Sequence, residues 1–70
     1  MTKLHIEVRV MGAVPAELLE ELEGVRVVAE SVETVLRGSL ADQAALIGMI
    51  NRLQSLGVEV REVRQLGIGT

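Results

Sequence analysis

The chain has no cysteine and no phenylalanine, tryptophan or tyrosine. Without cysteine there is no disulfide and no thiolate zinc site. His5 is the sole histidine, so a multi-histidine metal site within one chain is also excluded, and no metal or cofactor is expected. Seven basic residues are interleaved with ten acidic ones, for a net charge of −3. Binding to nucleic acid draws on a concentrated basic surface and on side chains that stack with bases. Both are missing, so nucleic acid is not an expected partner. No apolar run is long enough to cross a bilayer. Met1-Thr2-Lys3 leads into an alternating pattern rather than the apolar region of a signal peptide. The reading is a cytoplasmic chain with no membrane partner.

What is present is aliphatic. Of the 70 residues, 49% are hydrophobic, and the mean hydropathy of +0.38 is too high for a disordered chain. Residues 1–70 are expected to form one domain. A chain this short buries only about 60% of its unfolded surface, and its core supplies about 3–5 kcal/mol. With no covalent staple, packing quality and self-association are the remaining sources of stability.

Leu4, Ile6, Val8 and Val10 alternate with His5, Glu7, Arg9 and Met11, the pattern of a half-buried strand. Gly12 breaks it. Pro15 suits a first helical turn, and Leu18, Leu19 and Leu22 form a stripe with Val14 as an entry staple. Gly24 is a natural stop, which predicts a helix over 15–23. Residues 25–32 and 34–38 read as strands joined by a hairpin near Ser31–Glu33, with Val25, Val27 and Ala29 facing a core. Ser39, with Asp42 three residues on, reads as a capping box. It opens a helix over 40–56 that carries Leu46, Met49, Ile50, Leu53 and Leu56. Gly57 ends that helix, with Val58 placed to close a Schellman motif. A strand over 58–66 changes phase between Val60 and Val63, which predicts a bulge near Arg61–Glu62. Residues 67–70 read as a loose tail.

The element order βαββαβ predicts an α+β, two-layer ferredoxin-like sandwich. Its antiparallel sheet would run in the order 4-1-3-2, with both helices on one face. The other sheet face would carry His5, Glu7, Arg9, Arg26, Val28, Glu30, Arg37, Glu59 and Arg61. That mixture of signs suits cross-strand ion pairs or the surface of a second copy.

Catalytic and phosphate-binding signatures are thin. A histidine such as His5 can serve as a general base, but a base needs geometric partners, so a plain strand residue is the simpler reading. Glu17, Glu20, Glu21 and Glu23 lie opposite a leucine stripe and read as a solvated helix face. Gly12, Gly24, Gly38 and Gly57 punctuate elements, and no phosphate-loop spacing occurs. Gly48 differs, because it sits inside the second helix at a cost of about 0.8–1 kcal/mol relative to alanine. Ala44, Ile47 and Gly48 therefore mark either a helix–helix contact or crowding against the first helix.

Resemblances add expectations. Heavy-metal-associated copper chaperone domains share the length and topology, but the loop Met11-Gly12-Ala13-Val14-Pro15 lacks their paired cysteines, which rules out thiolate copper transfer. RNA-recognition motifs need strand aromatics that are missing. Asp42-Gln43-Ala44-Ala45-Leu46, followed by Ile50, Leu53, Gly57, Val58 and Val60, resembles the signature of ACT domains, small regulatory modules that often bind amino acids. Ala45 stands in place of the signature glycine. The resemblance implies a small-molecule site at Asp42, Gln43 and Ala44, where helical N–H groups suit a carboxylate. Residues 34–46 with Leu53-Gln54-Ser55-Leu56-Gly57 also resemble short, stand-alone bacterial proteins of unassigned function.

Three functions follow as expectations. The first is a non-enzymatic module working as a homodimer or higher homo-oligomer. Its contacts would lie at Ala44, Ile47 and Gly48, or at His5, Glu7, Arg9 and Arg37. The second is an ACT-like amino-acid sensor. The third is a small dimeric enzyme with His5, Arg9 and Arg37 as polar groups. It lacks a pocket-forming aromatic lining and a complete catalytic geometry.

Overall fold

The computed structural model describes the backbone of residues 3–69 and the side chains of residues 3–66. Six elements follow in order: β1 (Lys3–Met11), α1 (Ala16–Glu21), β2 (Val25–Glu30), β3 (Glu33–Leu40), α2 (Gln43–Ser55) and β4 (Val60–Gly69). The strands form one antiparallel sheet in the order β2-β3-β1-β4. This is the expected 4-1-3-2 read from the other edge, and the element order fits a ferredoxin-like βαββαβ fold.

The alternation in β1 sets the core. Leu4, Ile6, Val8 and Val10 are buried, and they cluster with Leu36 and Leu40 of β3, Leu18 of α1, and Met49 and Leu53 of α2. Leu46 packs against this cluster while partly buried, and Leu56, at the end of the predicted stripe, is exposed. Among the described residues Thr34 is the one buried hydroxyl-bearing residue, and its Oγ1 donates to the Gly12 carbonyl, as a buried polar group requires.

The end of α2 follows its sequence signal. Gly57 adopts φ +79°. Its N–H donates to the Gln54 carbonyl at 3.0 Å, and the Val58 N–H donates to that of Leu53 at 3.0 Å. This pair of bonds is the Schellman motif. The hairpin at Ser31–Val32 is also where it was predicted, with the Ser31 N–H donating to the Glu33 carbonyl.

Several expectations fail, most of them through strand pairing. Ser39 does not cap α2, because β3 continues through Ser39 and Leu40 while paired with His5 and Leu4. Asp42 is the cap, and its Oδ1 accepts from the Ala45 N–H at 2.9 Å. Helix α1 is six residues rather than nine, and Pro15 stands at its cap position. In β2 a register shift between Val27 and Ala29 reverses the alternation, so Val25 and Val27 pack on the core while Ala29 is exposed. The expected tail is strand as far as Gly69, with Gly67, Ile68 and Gly69 opposite His5, Leu4 and Lys3. Thr70 lies outside the described residues.

Gly38 is not a punctuation residue. It lies inside β3, opposite Val25, and a Cβ there would stand 2.1 Å from the Gly24 carbonyl oxygen. The close approach of two backbones excludes any side chain.

Candidate interaction surface

The register places side chains in rows across the sheet face opposite the core cluster. Arg26 of β2, Arg37 of β3, Glu7 of β1 and Arg64 of β4 stand in one row through successive pairings. The neighbouring row is Ala29, Val35, Arg9 and Glu62. On the other side, Ser39 stands opposite His5. The bulge expected near Arg61–Glu62 is present, with Glu62 opposite Arg9 and Val60 opposite Val10. Arg61 is the extra residue. The phase change therefore brings Glu62 and Arg64 onto this face instead of Glu59 and Arg61. Alternation counted beyond the bulge identifies both. The shift in β2 likewise removes Glu30 from this face, since it pairs with the buried Thr34.

Glu7 is only 3% exposed, although it lies on the face away from the core. Three guanidinium groups surround it. Arg37 Nη2 donates to its Oε1 at 2.6 Å, Arg9 Nη2 lies 3.2 Å from Oε2, and Arg64 Nη1 lies 3.9 Å from Oε2. The hydrogen bond from Arg37 holds the carboxyl below its ordinary pKa of 4.5 against the cost of burial, helped by the charges of Arg9, Arg37 and Arg64. Oε2 is buried and accepts no well-aligned hydrogen bond. Arg9 also reaches Glu62, at 3.4 Å. The sequence pattern foresees Glu7 among charged residues on this face but not its enclosure, which depends on arginines from three strands.

Ser39 Oγ lies 2.9 Å from His5 Nδ1. A hydroxyl beside an imidazole is the start of a nucleophile–base pair. Both residues have exposed or half-exposed side chains, and no carboxylate among the described hydrogen bonds orients the ring. The pair alone does not meet the geometric requirements of an active site. Among the described residues, no group of three His, Cys, Asp or Glu side chains could hold a metal ion.

The other expected site residues lie on α2. Asp42 spends its carboxylate on the helix cap, and Gln43 and Ala44 are exposed. Beside them, a cleft of about 430 Å3 is lined by Lys3, Glu23, Ser39, Ala41 and Ala45, among others. Farther along, Ile47 is 58% exposed, and a Cβ on Gly48 would meet nothing within 4 Å. Crowding against α1 is therefore not the reason for this glycine. The contact between the helices lies elsewhere, where Arg52 of α2 pairs with Glu21 of α1 through bonds of 2.9 and 3.0 Å. Glu21 thus leaves the acidic face that the sequence assigned to solvent.

These features define a small α+β domain with a charged sheet face and no helix long and apolar enough to cross a membrane among the described residues. The chain belongs to a family described as a domain of unknown function, DUF8691, which it matches over residues 5–64. No curated protein gives a significant match to it, and neither does any solved structure.

Proposed function

We propose that the chain is a non-enzymatic interaction module of the bacterial cytoplasm. In this reading it is a two-layer βαββαβ sandwich with both helices on one face. It works as a homo-oligomer, most simply a two-fold dimer, through the exposed side of α2. The observation that carries the reading is the open space around Gly48. An interior helical glycine costs about 0.8–1 kcal/mol relative to alanine, and no contact at that position among the described residues offsets it. Approach of a second helix along Ala44 and Gly48, with Ile47 covered, supplies the missing contact. Two-fold closure is the commonest arrangement for such self-contact. Light scattering at micromolar concentration tests it. A mass near twice 7.6 kDa is expected, and a monomer at all concentrations refutes it.

A second reading rests on the cleft at the start of α2. Lys3 and Glu23 line it with opposite charges, which suits the carboxylate and ammonium of an amino acid, as the ACT resemblance implies. In a thermal-shift screen of amino acids, one that raises Tm supports it, and a flat response across all of them removes it.

A further inference from the structure

We propose that the arginine-rich sheet face is a docking surface for an acidic polypeptide segment of another protein. The argument begins with the row Arg26–Arg37–Glu7–Arg64, three guanidinium groups to one carboxylate, on four adjacent strands. Arg26 stands directly opposite Arg37 and makes no ion pair among the described residues. Like charges directly opposite each other destabilise a sheet, so the folded chain keeps an arrangement that an external anion relieves. Glu7 is enclosed, whereas its partners are not. Arg37 and Arg64 are 48% and 57% exposed, so the surface presents guanidinium groups and hides the carboxylate between them.

The distribution of charge makes this face distinctive. The two central rows hold Arg9, Arg26, Arg37 and Arg64 against Glu7 and Glu62, a formal +2. The remaining three basic and eight acidic residues of the chain give −5. An acidic partner is thus drawn to this face and repelled by the rest of the molecule, which orients the encounter. The same charges argue against a second copy. Two such faces stacked together would oppose central rows with eight arginines and four glutamates in all, a formal +4. Nucleic acid is disfavoured by the negative remainder and by the absence of aromatic side chains on which bases stack. Guanidinium groups fixed on adjacent strands match carboxylates in bidentate geometry. The surface is separate from the α2 contact, so it holds whether the chain is a monomer or a dimer.

The test is fluorescence polarisation with dye-labelled hexaglutamate at low ionic strength, with hexalysine and a single-stranded oligonucleotide of matched charge as comparison probes. Hexaglutamate is expected to bind, to weaken as salt rises, and to shift the backbone amide resonances of Glu7, Arg26, Arg37 and Arg64. Arg26→Gln and Arg64→Gln are each expected to lower affinity about threefold to fivefold, the worth of one exposed ion pair. Arg26 makes no ion pair among the described residues, so Arg26→Gln keeps the fold, as circular dichroism would verify. Absence of hexaglutamate binding overturns the proposal, as does binding that both variants leave unchanged. Oligonucleotide or hexalysine binding as tight as that of hexaglutamate also overturns it.

Discussion

Arg37 Nη2 donates to Glu7 Oε1 at 2.6 Å from the directly opposed position on the neighbouring strand. The bond does more than join β1 to β3. It anchors the first of three guanidinium groups around one carboxylate, with Arg9 supplied from the same strand and Arg64 from β4. A residue that alternation places on the solvent side is thereby enclosed. Breaking the pair by removing the carboxylate leaves three cations close together, which is worse than losing one bond.

Glu7→Gln is therefore expected to lower stability at neutral pH, and its effect should depend on pH in a defined direction. The folded-state pKa of Glu7 is depressed by Arg37 first and then by Arg9 and Arg64. Its contribution is fully present above the unfolded carboxylate range, about pH 4.5, and is lost as pH falls through the lower folded value. Glu21, depressed by Arg52, behaves the same way. Urea midpoints of wild type and Glu7→Gln should differ at pH 7 and converge as the solution is acidified. A constant difference would show that Glu7 acts through packing rather than charge.

Gly38→Ala should destabilise the fold by at least about 1–3 kcal/mol, the cost of overpacking. The added Cβ would fall 2.1 Å from the Gly24 carbonyl oxygen and 2.7 Å from the Val25 Cα. Both are backbone atoms, so no side-chain rotation relieves the clash. Urea unfolding reads the loss directly, and a wild-type midpoint would contradict this account of β2–β3 packing.

Asp42→Ala should cost about 1 kcal/mol as the loss of a helix cap, because Asp42 Oδ1 holds the Ala45 N–H. Ser39→Ala should cost less, since its hydroxyl meets His5 and not the helix. The order of the two losses in denaturant unfolding separates the observed cap from the one that the sequence suggests.

Much of the fold is legible in local pattern. The run from Leu4 to Val10 declares its core face by period, and Gly57 with Val58 declares the end of α2 by backbone chemistry. The errors arise where two signals compete. Ser39 and Asp42 are both good caps, and the choice between them is made by the pairing of Ser39 with His5, a contact 34 residues apart. Ala29 and Glu30 are misplaced because a bulge at Val28 leaves no mark in composition, whereas the one at Arg61 shows as a phase break between Val60 and Val63. The arginine row was visible only in part. Alternation assigns His5, Glu7, Arg9, Arg26 and Arg37 to one face, but Arg64 joins them only once the bulge is counted. The enclosure of Glu7 is a tertiary property with no local signal.

The most direct test of the central claim is sedimentation equilibrium of the wild type beside Gly48→Leu. Gly48 is exposed and a Cβ there meets nothing within 4 Å, so a single chain should accommodate the leucine toward solvent, whereas a helix packed on that glycine would be pushed away. The wild type should sediment as a species near twice 7.6 kDa and the variant as a folded 7.6 kDa monomer. Equal masses for the two proteins, whether both monomeric or both dimeric, would contradict the assignment of α2 as the self-association surface.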